Sequence, residues 1–148
     1  MVQFRWKRFE ELTAKEIYEI LKLRAEVFVV QQNCAYLDPD GKDFSAMHLL
    51  GYEDENLVTY IRLFPPTEIK NHIIFGRVVT AESARGKGYG KQLMQALLDH
   101  CNQHFPNVSI QCSSQAYLQK FYESFGFVTH GQTYLEDNIP HIAMIRSD

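Results

Sequence analysis

The 148-residue sequence predicts a mixed α/β domain around one central sheet, and three observations carry that prediction. Strand-like runs, alternating or continuously apolar, recur along the chain. Three other segments repeat their apolar residues at helical spacing. The resulting order, β-α-β-β-β-α-β-α-β-β, contains no linker, repeat or low-complexity tract, so residues 1–148 are read as one domain. A chain of this length buries roughly two-thirds of its unfolded surface on folding. Its hydrophobic content of 45% and charged content of 22% are ordinary globular values.

"VQFRWK" alternates Val2, Phe4 and Trp6 with Gln3, Arg5 and Lys7, the period-2 pattern of a half-buried strand. "TAKE" at 13–16 has the form of a capping box, with Thr13 as N-cap and Glu16 three residues on. Ile17, Ile20, Leu21, Arg24 and Phe28 then mark a helix to about residue 28. Residues 31–47 are turn-rich and aperiodic, and a loop of that length is more often functional or mobile than idle. "HLLGYEDENLVTYIRLF" reads as a hairpin turning at Asp54–Asn56. "IIFGRVVT" at 73–80 is apolar and β-branched, as in a central strand buried on both faces. From Tyr89, a helical face runs through Gly90, Leu93, Met94, Leu97, Leu98 and Cys101. "VSIQC" at 108–112 is a further strand. Leu118, Phe121, Tyr122 and Phe125 mark a last helix, stopped by Gly126. Strands near 127–135 and 141–146 close the chain.

A net charge of −3 gives no support to general nucleic-acid binding, so any anion site is local. Cys34, Cys101 and Cys112 are odd in number and form no C-x-x-C pair, which suits reduced thiols. Neither a signal peptide nor an apolar run of spanning length is present, and a soluble cytoplasmic protein without a membrane partner is expected. His100 and His104 are four apart on a helix, but "CNQ" between them lacks the Glu of a metalloprotease motif and no third ligand is evident, so no metal is expected. "DPDGKD" at 38–43 departs from calcium-loop spacing and reads as a solvated Asp/Pro/Gly turn. Arg24 and Arg77 interrupt apolar patterns and are expected in structural ion pairs.

"RGKGYG" at 85–90 stands between a buried strand and a helix start. The first N–H groups of a helix lack internal partners, and the dipole is positive there. Glycines let the chain take positive φ and bring those groups close to a ligand. Arg85, Lys87 and Lys91 add charge, so the loop reads as a cradle for phosphate or pyrophosphate. A Walker A loop is excluded by Arg85 at its first glycine and Gln92 at its Ser/Thr. A Rossmann fingerprint is excluded by Lys91 at its third glycine.

Arg85-x-x-Gly88-x-Gly90 resembles the R/Q-x-x-G-x-G/A signature of the GCN5-related N-acetyltransferase (GNAT) superfamily, and "FYESFGF" resembles its Y-x-x-x-G-F element. The segments "LRAEVFVVQQNCAY", "DPDGKD", "IFGRVV" and "EDNIPHIAM" extend the likeness to the ElaA-type subgroup from end to end. Gln31 departs from it, standing where that subgroup often has Glu. The resemblance implies a mixed, mostly antiparallel central sheet flanked by helices. It also implies acetyl-coenzyme A as acetyl donor and a small-molecule or peptide amine as acceptor. The implied pyrophosphate cradle is the backbone of Arg85, Gly86, Lys87, Gly88, Tyr89 and Gly90, with Lys91 beside it. Val78, Val79 and Thr80 would pair with the pantetheine arm, the Val78 N–H would meet the developing oxyanion, and Gln115 would touch the cofactor. Tyr122 falls at the position of the acid that protonates the leaving thiolate.

The position where some relatives carry a basic glutamate holds Ile74. His48, His141 and a water relay are therefore open as the base. Phe28, Tyr36, His48 and His141 are candidates for the acceptor wall. Cys112 reads as a buried strand cysteine rather than a nucleophile. A coenzyme A-binding module without activity is the alternative on the same scaffold. Exposed sheet edges are compatible with a monomer or a homodimer.

Overall fold

A computed structural model describes residues 1–147. Strand β1 (Val2–Arg8) leads into helix α1 (Ala14–Arg24). Thr13 caps α1 as its spacing predicts: its hydroxyl accepts from the Glu16 N–H at 3.1 Å, and its own N–H donates to the Glu16 carboxylate at 2.9 Å. The helix does not stop near residue 28. It widens into π-helical turns over Ala25–Gln31, so the irregular stretch begins after Gln31.

Strands β2 (Met47–Glu53) and β3 (Asn56–Phe64) form the expected hairpin. Strand β4 (Ile73–Thr80) precedes helix α2 (Tyr89–His104). Strand β5 covers Ile110–Gln115, somewhat later than its apolar run suggests, and helix α3 is short, Gln119–Glu123. Gly126 ends that region at φ +91°, the left-handed geometry a stop requires. Strands β6 (Val128–Glu136) and β7 (Ile139–Arg146) complete the chain.

The seven strands make one sheet in the order β1-β2-β3-β4-β5-β7-β6. Every neighbouring pair is antiparallel except β4–β5. The two faces bury different helices because successive strand residues point opposite ways. Leu49, Ile61 and Leu63 pack with Leu93, Met94 and Leu97 of α2 on one face. Leu50, Tyr52, Tyr60 and Val79 pack with Ile20, Leu23 and Val27 on the other. Removing the side chain of a fully buried residue such as Leu97 typically costs about 2–5 kcal/mol. No helix of the described residues is long and apolar enough to cross a membrane.

The sequence reads β4 as buried on both faces, and the structure corrects this. Gly76, Arg77 and Val78 are only half-buried, because the sheet divides beside them.

Candidate active site

Strands β4 and β5 pair in register only at Ile73–Ile110 and Ile74–Gln111. Beyond Ile74 the two strands separate, which leaves the rest of that edge of β4 without a strand neighbour. On its other edge β4 carries a bulge. Arg77 and Val78 stand opposite the single residue Ile61, between the pairs Tyr60–Val79 and Arg62–Gly76. Arg77 takes φ +53° there, in the left-handed region where a non-glycine residue is uncommon. The split opens into a cavity of about 610 Å³.

The glycine-rich loop follows the end of β4, to which the Arg85 side chain ties it through the Thr80 carbonyl, and none of its residues lines that cavity. Gly86 and Gly88 take φ +82° and +79°, and Gly88 is the N-cap of α2. The N–H groups of Gly86, Lys87, Gly88, Tyr89, Gly90 and Lys91 have no hydrogen-bond acceptor among the described residues. Six consecutive N–H donors thus stand free at this helix start, the kind of array an anion favours. The Arg85 N–H is not among them, since it donates to the Glu82 carbonyl at 3.3 Å. The expectation that the Arg85 N–H is a free cradle donor is thereby corrected, and its side chain is engaged within the protein. Nε donates to the Thr80 carbonyl at 3.3 Å, and Nη2 donates to Gln31 Oε1 at 2.8 Å.

Gln31 also donates to the Glu82 carboxylate at 3.0 Å, so a single amide ties the end of the first helix to both sides of the loop. A carboxylate at position 31 could not donate to Glu82. Glu53 holds the loop from β2, with Lys87 Nζ at 3.2 Å and the Tyr89 hydroxyl bonded to it. Gly90 brings α2 close to α3: a methyl there would lie 3.8 Å from the Phe121 ring.

Tyr122 is 4% exposed, packs against Phe75 and Phe127, and lines the cavity. Its hydroxyl has no hydrogen-bond partner among the described residues. Burial pushes its pKa well above the usual phenol range, so it holds its proton at neutral pH. Cys112 lines the same cavity, and burial raises its thiol pKa to about 12. A thiol of that kind is no nucleophile near pH 7.

Of the expected acceptor-wall residues, Phe28, Tyr36 and His141 line the cavity, together with Gln115. Gln115 and Gln32 exchange amide hydrogen bonds at 3.2 and 3.3 Å, joining the end of β5 to the first helix. His48 is corrected. It is 1% exposed, Nδ1 lies 2.6 Å from the Tyr60 hydroxyl, and Nε2 lies 2.9 Å from the Asp43 carbonyl. It belongs to a separate apolar groove formed with Phe9, Ile17, Ile20 and Phe44. Both of its ring nitrogens are committed to the core.

The loop 38–43 is not a solvated turn. Arg24 is fully buried, with Nε 2.8 Å from Asp38 and Nη1 2.7 Å from Asp43. Arg62 reaches Asp40 at 2.6 Å and Asp43 at 3.1 Å, and Arg77 Nε lies 2.9 Å from Asp38. Three arginines and three aspartates thus neutralise one another, with Asp40, Arg62 and Arg77 lining the cavity and Arg24, Asp38 and Asp43 behind them. Sequence reasoning foresaw partners for Arg24 and Arg77 but missed Arg62, hidden in an apolar strand run. The His100 and His104 rings lie tilted to one another with centres 4.4 Å apart, and His100 stacks on Trp6 at 4.1 Å. These rings are engaged as packing groups.

Comparison with known proteins gives a consistent result. Residues 13–147 match the family model described as an acetyltransferase (GNAT) domain. Protein ElaA of Escherichia coli strain K12 is 40% identical over 148 residues, covering 99% of this chain and 97% of that one. The crystal structure of an acyl-CoA N-acyltransferase from Pseudomonas aeruginosa superposes with a TM-score of 0.94 at 40% identity, covering 99% of this chain and 100% of that one. The crystal structure of Escherichia coli ElaA superposes with a TM-score of 0.92 at 39% identity, again covering 99% and 100%.

Proposed function

The chain belongs to the GNAT acetyltransferase family, whose members transfer acyl groups, and from that premise we propose that it is an acetyl-coenzyme A-dependent N-acetyltransferase. The observation that carries the reading is the run of six free N–H groups at the start of α2, beyond the end of the half-unpaired strand β4. A pyrophosphate seated on that run directs the rest of coenzyme A along the unpaired edge of β4, at Val78 to Thr80, in the manner of an added strand. The side chain of Val79 is 3% exposed on the α1 face, so this residue contributes backbone only. Gln115 and Lys91 complete the donor side.

Transfer is direct. The acceptor nitrogen attacks the thioester carbon, and the Val78 N–H stabilises the oxyanion as it forms. One such preorganised donor is worth on the order of 3 kcal/mol. The carbon–sulfur bond breaks, and Tyr122 donates its proton to the sulfur. A phenol whose pKa is raised by burial is a weak acid in isolation. The thiolate forms in the same apolar surroundings, however, and burial penalises that anion as well, as the raised pKa of Cys112 illustrates. The two basicities rise together and the transfer stays feasible. The thiol of Cys112 takes no covalent part.

Two measurements test the reading. Calorimetric titration with coenzyme A gives one site per chain, and Gly88→Val weakens it at least tenfold, because a β-branched residue does not tolerate φ +79°. Thiol release from acetyl-coenzyme A is then followed with a panel of polyamines, aminoglycosides, amino acids and peptide N-termini. Tight binding without transfer to any of them would leave a coenzyme A-binding module in place of the enzyme.

A further inference from the structure

We propose that His141, positioned by the Ile139 carbonyl and the Glu136 carboxylate, is the base that takes the proton from the acceptor amine. This deepens the N-acetyltransferase reading and rests on it.

The hydrogen bonding of His141 sets its tautomer. Its Nδ1 lies 2.7 Å from the Ile139 carbonyl oxygen, which can only accept, so Nδ1 carries a hydrogen. In the neutral ring Nε2 is then the lone-pair nitrogen. The Glu136 Oε2 atom lies 3.5 Å from Nε2. An ionised carboxylate and a bare ring nitrogen have nothing to donate to one another. The pair becomes favourable when Nε2 receives a proton, so the site is built to accept one. His48 offers no such vacancy.

The register of β5 and β7 sets the face of the sheet on which this ring lies. His141 stands opposite Gln115, and two residues back along β5 Ser113 stands opposite Ala143. Directly opposed residues share a face. The alternate pairs, Cys112–Met144 and Ser114–Ile142, point the other way, and Cys112, Met144 and Ile142 belong to the core that contains Tyr122. Base and acid therefore approach the split from opposite faces of the sheet, and both line one cavity. That is the arrangement direct attack requires, with the amine entering from one side and the thiolate leaving toward the other.

Other groups face the ring from the surrounding elements. Tyr134 of β6 stacks on it at 6.2 Å, its hydroxyl bonded to Ser113. Gln115 comes from β5 and Gln32 from the first helix end, while Cys34, Asp137 and Arg77 line the same cavity. Glu136 supplies the carboxylate within reach of Nε2 among the described residues.

In the step itself the nitrogen–carbon bond forms and the carbon–sulfur bond breaks. One amine proton passes to His141 Nε2, and the proton of Tyr122 passes to sulfur. The products are the amide and the free thiol. Solvent then carries a proton from the imidazolium to the phenolate and restores both groups.

The test compares wild type, His141→Gln and Glu136→Gln in the thiol-release assay with acetyl-coenzyme A and the amine panel. His141→Gln is expected to lower kcat about 100-fold while coenzyme A binding stays within about twofold. The acid limb of the log kcat/KM profile against pH, along which the base must be unprotonated, is expected to lose one unit of slope. Glu136→Gln is expected to lower kcat without changing KM for acetyl-coenzyme A, as for a positioning residue. ¹⁵N spectra of histidine in the wild-type chain at pH 8 are expected to show the Nδ1–H tautomer for His141, independently of any variant. The opposite tautomer overturns the inference. So does a His141→Gln variant with unchanged rate and unchanged slope, in which case the transferase reading survives. If wild type transfers to no panel amine, the reading and the base fall together.

Discussion

Replacing Arg24 by methionine tests whether the arginine–aspartate network holds the cavity wall. The guanidinium is fully buried, bonded to Asp38 at 2.8 Å and Asp43 at 2.7 Å, and lies 5.9 Å from the Tyr60 ring centre. Burial works against its charge. The hydrogen bond to Asp43 and the charges around it nevertheless hold its pKa above the ordinary arginine value. Removing one partner of a buried ion pair costs about 3–5 kcal/mol, because the partner charge is left behind. Here Asp38 keeps Arg77 and Asp43 keeps Arg62, and methionine fills most of the vacated volume. The lower end, about 3 kcal/mol, is therefore expected. For a chain of this size that corresponds to a Tm lower by roughly 6–12 °C. Thermal unfolding followed by circular dichroism reads it directly. In a cycle with Asp43→Asn the two losses should fall short of additive, since the residues share one bond. The acceptor KM should rise, because Asp40 and Lys42 of the same loop line the cavity, whereas coenzyme A affinity should hold. A Tm within about 2 °C of wild type would refute the view that this network carries the wall.

Tyr122→Phe keeps the ring contacts to Phe75, Phe121 and Phe127 and removes a hydroxyl with no partner among the described residues, so Tm should stay within about 3 °C. Its kcat should fall about 100-fold, and an unchanged kcat removes the phenol from the mechanism. Stability should vary with pH in two stages. Burial lowers the His48 pKa, so the native ring refuses a proton that the unfolded chain accepts near 6.5. That contribution is complete above about pH 7 and declines as pH falls below 6.5. The hydrogen bond from Arg62 holds Asp40 well below the usual carboxylate range. Asp43 is also lowered, its bonds to Arg24 and Arg62 outweighing burial. Their contribution is present above about pH 4 and is lost as pH falls further. Thermal melts between pH 3 and 8 should show a plateau and then both declines, and a Tm that does not move between pH 7 and 5 contradicts the account of His48.

Much of the molecule was legible in the chain because its signals are local. The capping box at Thr13, the alternation in β1, the stop at Gly126 and the glycine crowding at 86–90 each depend on neighbours within a few residues, and each appears where its pattern points. The π-helical extension to Gln31 and the later start of β5 were not legible, since both depend on what packs beside them. Arg62 shows the same limit. Within "VTYIRLF" nothing announces that it reaches across to Asp40 and Asp43.

The two histidines show where the division lies. In the sequence, His48 and His141 are equivalent candidates: each adjoins a strand, and each carries the same imidazole. Composition, periodicity and the paired motifs determined the fold class, the glycine-rich start of α2 and the family of the chain. Which ring faces the cavity depends on strand register, because a shift of one residue sends a side chain to the opposite face. Which nitrogen is free depends on the groups around each ring, among them Tyr60 of β3 beside His48 and Glu136 of β6 beside His141, which β-pairing brings in from other strands. Those are distances through space, and only the tertiary structure decides them.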